Sequence, residues 1–242
     1  MQQIGVKYYN EFKLKIPRSE VESIGAVILA HARQFNGGFQ MMIVGGHRRG
    51  KPESGDVDVL LSHPSEAETS DFIEKLVLSL EKSHLITHTL TLSTGNSQRG
   101  QMPVSWKGEQ AKSSPGFDTL DKAMVVWQSP SWINIGADAK PQGESLQPHR
   151  RVDIIISPFS TVGCAVLGWS GGTTFQRDLR RYCKKERGLK FDSSGIRCRA
   201  DGLWVDLEGG PRGRAPDMET AEKRVFAGLG LEYIPPAQRC TG

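Results

Sequence analysis

Disulfides and zinc sites are the first things the sequence lacks. The four cysteines, Cys164, Cys183, Cys198 and Cys240, form no Cys-x-x-Cys pair and show no metal-ligand spacing. They read as reduced intracellular thiols. Long apolar runs are missing as well. Stretches such as Ile154-Ile155-Ile156 are far too short to cross a bilayer, and the N-terminus has no apolar signal-peptide segment. No membrane role and a cytosolic or nuclear setting are therefore expected. Nor is there an excess of one charge: 31 Lys and Arg against 27 Asp and Glu give a formal net charge of +4. That mild surplus is compatible with nucleic acid but does not demand it, because where charge sits matters more than its sum. The six histidines have no ligand spacing, and the chain holds no internal repeat and no low-complexity tract. What remains is a chain of 242 residues with enough apolar content for one large domain or two modest ones.

Periodicity organises that content. Ser19-Glu20-Val21-Glu22 after Pro17 has the form of a capping box, and Val21, Ile24, Val27 and Ile28 recur at helical spacing until Gly37-Gly38. Met41 to Val44 reads as a buried strand running into a glycine turn, and Asp56 to Leu61 as the next strand. Residues 66–83 return to a helical period with Phe72, Leu76 and Leu80, and residues 85–92 alternate like a strand. Thr94 to Gly116, rich in Gly, Ser, Gln and Lys, is too polar for a core element and reads as a long loop. Residues 123–127 form another strand, 129–147 a second long loop, and 150–157 an apolar strand carrying Asp153. After Pro158 come a short helix ending near Trp169-Ser170-Gly171-Gly172, a basic helix over residues 173–187, small hairpins and a last helix over residues 222–229. The change of composition puts a domain boundary near residue 160.

The chemistry concentrates in Gly45-Gly46-His47-Arg48-Arg49-Gly50-Lys51-Pro52-Glu53-Ser54-Gly55-Asp56-Val57-Asp58-Val59-Leu60-Leu61. Side chains two apart on a strand share a face, so Asp56 and Asp58 point one way. Converging carboxylates repel each other unless a divalent cation neutralises them, and Mg²⁺ is the natural choice. An isolated Asp-x-Asp is often only a surface pair, but apolar residues flank this one, where unpaired carboxylates are costly. Gly45 and Gly46 let backbone N–H groups approach an anion, and Arg49 adds a charged fork. Metal beside phosphate points to phosphoryl or nucleotidyl transfer. A third acid, Asp153, lies in Arg150-Arg151-Val152-Asp153-Ile154-Ile155-Ile156, a strand that, laid beside the first, completes a three-carboxylate cradle. His47 in the glycine turn reads as a loop filler rather than a base. Farther on, Arg177, Arg180, Arg181 and Lys184 share one helical face beside an apolar stripe of Phe175, Leu179 and Cys183. One face packs, and the other is open to phosphates or to solvent.

Taken together these residues resemble the family X DNA polymerases. The match is carried by the Gly45 to Lys51 turn, by Ser54-Gly55-Asp56-Val57-Asp58-Val59-Leu60, by Arg151-Val152-Asp153, and by Gly168-Trp169-Ser170-Gly171 followed by Phe175-Gln176-Arg177. It covers nearly the whole chain. Leu179-Arg180-Arg181-Tyr182 and Gly230-Leu231-Glu232-Tyr233-Ile234-Pro235-Pro236 are similar to the family's thumb. Gly168-Trp169 is similar to the polymerase mu and terminal transferase branch, where polymerases beta and lambda carry Tyr-Phe. Glycine there implies a weaker steric gate at the sugar 2′ position and tolerance of NTP beside dNTP. The Thr94 to Gly116 segment stands where this branch has a loop that helps hold a poorly paired primer.

The resemblance also implies roles. Asp56 and Asp58 would bind two Mg²⁺ ions, with Mn²⁺ as a substitute, while Asp153 would bind the catalytic one and help take the primer 3′-hydroxyl proton. Arg151 would orient Asp153 and count among the DNA-facing residues. Gly45, Gly46, Arg49, Ser54 and Gly55 would hold the β- and γ-phosphates. Lys15 stands where many members have an arginine, which keeps charge but loses the fork. Gly168 and Trp169 would line the nucleotide, Gln176 would meet the base or its minor-groove edge, Arg177 would stack near the template, and Arg180 would follow the template strand.

The expected fold is α/β in the broad sense (α+β): a nucleotidyltransferase-type palm with a mixed, mainly antiparallel sheet and helices on one side, then a small α+β thumb. Residues 1–14 read as a linker from a preceding 8-kDa-type domain, 15–160 as the palm and 161–242 as the thumb. The implied activity is nucleotide addition to a DNA 3′-hydroxyl by a two-metal mechanism, in gap filling during double-strand-break repair by end joining in the nucleus. DNA with gaps or broken ends, dNTP, NTP and end-joining proteins are the implied partners. Two other readings stay open: an RNA-tailing nucleotidyltransferase of the same superfamily, against which the thumb motifs stand, and a non-catalytic DNA-end-binding module.

Overall fold

The computed structural model describes residues 2–101, 119–130, 147–209 and 213–239. Most of the two expected long loops, at residues 102–118 and 131–146, lies outside the described residues. Two short helices, α1 (Gln2–Lys7) and α2 (Tyr9–Phe12), lead into β1 (Ile16–Pro17) and the long helix α3 (Arg18–Phe35). Val21, Ile24, Ile28 and Ala32 are buried along one side of α3, as their spacing requires. Its start differs from the expected capping box. Pro17, with its pre-set φ of −58°, takes the N-cap position without a side-chain cap, and the helix begins two residues early. The Arg18 N–H is satisfied instead by the Pro52 carbonyl at 3.1 Å, and Glu22 pairs with Arg18 and His47.

Next come β2 (Gln40–Ile43), the one-turn helix α4 (Gly45–Arg48), β3 (Glu53–Ser54) and β4 (Val57–Ser62). The helical period over residues 66–83 divides into α5 (Glu66–Thr69) and α6 (Phe72–Lys82), because Asp71 adopts a left-handed φ of 52° that a continuous helix cannot contain. β5 (Ile86–Ser93), α7 (Gly95–Gln98), β6 (Asp121–Trp127) and β7 (Arg150–Ile156) complete the first part. The segment from Thr94 thus begins as a helical turn rather than as loop. The Asp121 carboxylate holds it there, accepting from the Asn96 and Ser97 backbone N–H groups at 2.8 and 3.1 Å. The second part holds α8 (Val162–Ser170), α9 (Thr173–Glu186), the hairpin β8 (Leu189–Asp192) and β9 (Gly195–Cys198), and α10 (Met218–Gly228). Among the described residues no helix is long and apolar enough to cross a membrane.

Five strands form one mixed sheet in the order β2-β4-β7-β6-β5, giving an α+β fold. β4 and β7 run parallel, and the other neighbours are antiparallel. On one face Val57, Val59, Leu61, Val152, Ile154 and Ile156 pack with Ile24 and Ile28 of α3 and Leu76 and Leu80 of α6. On the other, Leu60 and Ile155 are covered by Val162, Ala165 and Val166 of α8 and by Met218 and Ala221 of α10. Helices therefore lie against both faces, not one, because Leu60 and Ile155 would otherwise be left in water. Burying each such side chain is worth roughly 1.5–3 kcal/mol. α8 is buried nearly all round, since its far side meets Leu179, Cys183, Phe191, Val225 and Phe226.

Candidate active site

The parallel register sets Asp58 directly beside Asp153, on strands about 4.8 Å apart. Within β4 only Asp58 is not fully buried. Asp56 lies two residues earlier, on the same side of the chain. Burial, reinforced by the charges of Asp56 and Asp153, pushes the Asp58 carboxyl up to about 7 against the pull of Arg49 and Arg151. Burial and then Asp56 push Asp153 up to about 6, partly offset by Arg151 and Lys122. Carboxyls that hold protons this tightly are short of positive charge.

The phosphate-type turn comes up beneath them. Gly45 takes φ 61°, and a Cβ at that position would overlap the Asp58 carboxylate, so glycine is required on both counts. The Lys51 N–H bonds the Gly46 carbonyl at 3.2 Å and closes the turn. A cavity of about 460 Å³ then gathers Lys15, Gly45, Gly46, Arg49, Ser54, Gly55, Asp56, Asp58, Asp153, Gly168 and Trp169. Three residues without an assigned role from sequence also line it: Lys51, Glu53 and Gly171. Lys51 had a signal, its place directly after the glycine turn. Lys122 had none, since it reaches the site only through the pairing of β6 with β7, and its ammonium stands 5.9 Å from the Trp169 ring.

Several expected roles change. Arg151 pairs with Asp56 rather than with Asp153: its Nη2 donates to Asp56 Oδ2 at 3.1 Å and to the Gly55 carbonyl at 3.4 Å, while its charge also reaches Asp153. The register explains this, because Val57 faces Val152 and the preceding residues, Asp56 and Arg151, meet in turn. Gln176 is turned away from the cavity, and its Nε2 donates to the Leu167 carbonyl at 2.6 Å. It shares the packed face of α9 with Leu179 and Cys183, at i, i+3 and i+7. Gly168 lines the cavity, yet a Cβ there would lie 2.8 Å from Ser193 Cβ and 3.0 Å from Ser193 Cα. The close approach of the β8–β9 turn therefore demands glycine at 168, whatever the sugar. On α9, Arg177, Arg181 and Lys184 are exposed, while Arg180 is half-buried and burial brings it down to about 10. The four cations do not form a single open face.

The paired arginines of the turn part company. Arg49 faces the cavity. Arg48 turns away, donating through Nη1 to Ser170 Oγ at 2.8 Å and to Glu222 Oε1 at 2.9 Å, and through Nη2 to Glu222 Oε2 at 2.8 Å. Arg239 Nη1 also donates to Glu222 Oε1, at 2.6 Å. The turn is thereby bolted to α8 and α10.

As the side chains stand, no three His, Cys, Asp or Glu among the described residues close into a metal-binding cluster. Arg151 holds Asp56 to one side. The donor set still suits a hard divalent cation: three aspartates, two of them pushed up by burial and by neighbouring carboxylates, with no thiol or imidazole among the described residues that line the cavity.

Fold and site together define a nucleotidyltransferase-type palm joined to a thumb. Family models described as DNA polymerase beta palm and DNA polymerase beta thumb match residues 15–159 and 165–240, and the chain belongs to the family X DNA polymerases. DNA-directed DNA/RNA polymerase mu of Homo sapiens is 27% identical over 240 residues, covering 98% of this chain and 44% of that protein. DNA nucleotidylexotransferase of Homo sapiens is 26% identical over 242 residues, with 99% and 43% covered. DNA polymerase lambda of Rattus norvegicus is 30% identical over 239 residues, with 98% and 35% covered. The chain spans less than half the length of these relatives.

Proposed function

We propose that this chain transfers a nucleotide from a nucleoside triphosphate to a DNA 3′-hydroxyl. The observation that carries the reading is the single cavity in which three aspartates face a glycine turn and the cations Lys15, Arg49 and Lys51. Asp56 and Asp58 are the residues to hold two Mg²⁺ ions, with Mn²⁺ as a substitute, and Asp153 shares one of them. When bound, the ions neutralise the triphosphate and favour the deprotonated attacking hydroxyl. The protein's own part is position and charge. Backbone N–H groups around Gly45, Gly46, Ser54 and Gly55 cradle the β- and γ-phosphates, and Arg49, Lys51 and Lys15 supply charge. Asp153 accepts the 3′-hydroxyl proton at a carboxylate oxygen. The 3′ oxygen bonds to the α-phosphorus, the bond to the bridging oxygen breaks, and pyrophosphate leaves with that electron pair.

Trp169 forms a wall of the nucleotide site, and exposed Arg177, Arg181 and Lys184 follow DNA phosphates. dNTP is the main substrate and NTP a second, in keeping with the name of the human relative, a DNA-directed DNA/RNA polymerase. The division is a palm over residues 15–160 and a thumb over residues 161–242. The cellular role on this reading is gap filling at broken DNA ends in the nucleus, beside end-joining proteins.

An extension assay on a gapped duplex, a single strand and an RNA end, each with dNTP and with NTP, tests it. Addition of dNTP to the gapped duplex in the presence of Mg²⁺ is expected. Addition confined to RNA ends would move the chain to the RNA-tailing enzymes. DNA binding with no addition on any substrate would leave only a binding module.

A further inference from the structure

Two carboxylates near the N-terminus reach the strand that carries Asp153. Glu11 of α2 accepts from the His149 backbone N–H at 2.6 Å and bonds His149 Nδ1 at 2.9 Å. Glu20 of α3 takes both arms of Arg150, from Nε at 2.7 Å and Nη2 at 2.8 Å, with each side chain only 7% exposed. Arg150 Nη1 also donates to the Leu14 carbonyl at 3.5 Å, next to Lys15 on the cavity wall. Tyr8 is buried and stacks on His149, with ring centroids 3.9 Å apart and planes at 29°. His149 and Arg150 are therefore gripped one after the other, just before Arg151, Val152 and Asp153.

The grip bears on the chemistry because β7 has a strict requirement. Its side chains alternate between faces, so a slip of one residue would put Val152 or Ile154 where Asp153 must stand. β6 ends at Trp127 and β7 begins at Arg150, a connection far too long to set register as a tight hairpin does. Among the described residues, the contacts from α2 and α3 hold the start of β7 alongside the Gln128–Gln147 hydrogen bond, the pairing of Trp127 with Arg150 and the contact of Arg151 with Asp56.

We infer that residues 8–20 form a clamp that sets the position of the third carboxylate, with Tyr8, Glu11 and Glu20 acting on Asp153 through His149 and Arg150. They are positioning residues, not catalytic ones. The inference rests on the metal-site reading above and extends it to how that site is held.

Direct Mn²⁺ binding to the folded chain, followed by electron paramagnetic resonance well below the melting temperature, tests it without relying on activity. Glu20→Gln leaves Arg150 buried without its counter-charge and will tend to unfold, so Glu11 is the better target. Glu11→Ala should weaken Mn²⁺ binding about 3–10-fold, less than the roughly 10–100-fold typical of direct outer-shell partners. Glu11→Gln keeps an acceptor oxygen and should recover most of the loss. Val225→Ala, in the thumb core, supplies a variant destabilised elsewhere, and its Mn²⁺ affinity should stay at the native value. Native affinity in Glu11→Ala, or an equal shift in Val225→Ala, would overturn the clamp and reduce its contacts to general stability. Asp153→Asn must weaken binding more than Glu11→Ala. If it leaves Mn²⁺ affinity unchanged, the metal-site reading fails first and the clamp with it, a pattern distinct from failure of the clamp alone.

Discussion

On one side of β4 and β7, Val57, Val59, Leu61, Val152, Ile154 and Ile156 lie dry against α3 and α6, whereas on the other Asp58, Leu60, Asp153 and Ile155 alternate acid with apolar. Both faces come from the same two segments of chain. Their difference follows from a side-chain period of two combined with a parallel register that keeps like beside like. The dry face supplies the stability that lets the other carry a liability, two carboxyls pushed up to about 7 and about 6. The second face is itself divided. Its apolar positions are roofed by α8 and α10, and its acidic positions open into the cavity.

That contrast can be broken at several points. The largest effect should come from Asp58→Asn or Asp153→Asn, each lowering nucleotide addition by roughly 10³-fold, about 4 kcal/mol of activation free energy. Single-turnover extension measures it, and near-native turnover in either variant would remove that residue from the metal site. Close in size is Glu222→Ala, beneath the roof of the acidic face. It leaves Arg48 and Arg239 charged and buried, so urea melts should show a loss of about 3–5 kcal/mol. On the dry face, Ile154→Ala should cost about 3 kcal/mol while Mn²⁺ affinity measured on the folded fraction stays native. A large affinity change there would mean that the two faces are not independent.

A smaller effect follows from pH. Asp58 and Asp153 keep protons in the folded chain up to about 7 and about 6, above their usual carboxylate range, while the unfolded chain has lost them. The metal-free protein should therefore lose stability as pH rises from about 4 to about 7, and level off above that. Thermal melts in chelator at pH 5 and pH 8 check the sign. Mg²⁺ or Asp58→Asn should flatten the difference. The smallest effect lies off the sheet: Arg177→Ala on exposed α9 should weaken DNA binding by about 0.5–1 kcal/mol and reduce the salt slope by about 1. An unchanged slope would make that arginine a solvated surface group.

Much of the contrast is legible before folding. Alternation alone puts Asp56 and Asp58 on one side, and Gly45 and Gly46 mark a turn at which backbone can approach an anion. The apolar stripes of α3 and α9 follow from helical spacing. Contacts between distant segments are not legible in this way. Arg48 and Arg49 are adjacent and chemically alike, yet one meets the buried Glu222 and the other the cavity, and Glu222 is far away in sequence. Gln176 looks like a nucleotide contact because it stands beside Arg177, yet its amide bonds the Leu167 carbonyl. Gly168 does line the cavity beside Trp169, but it is the approach of Ser193 that requires glycine there. The capping box gave way to Pro17, whose carbonyl-paired neighbour Arg18 finds its acceptor across a tertiary contact with Pro52.

The sequence by itself determined which residues share a face: the paired acids, the glycine turn, the buried strands and the amphipathic helices. These are properties of backbone geometry within a few residues, and periods of 2 and 3.6 express them directly. Only the tertiary structure decided what each face would meet. The pairing of Arg151 with Asp56, the inward turn of Arg48 and Gln176, the Ser193 contact at Gly168 and the grip of Glu11 and Glu20 on β7 join residues far apart in the chain. Such contacts depend on how the helices settle on the sheet, which local spacing does not encode.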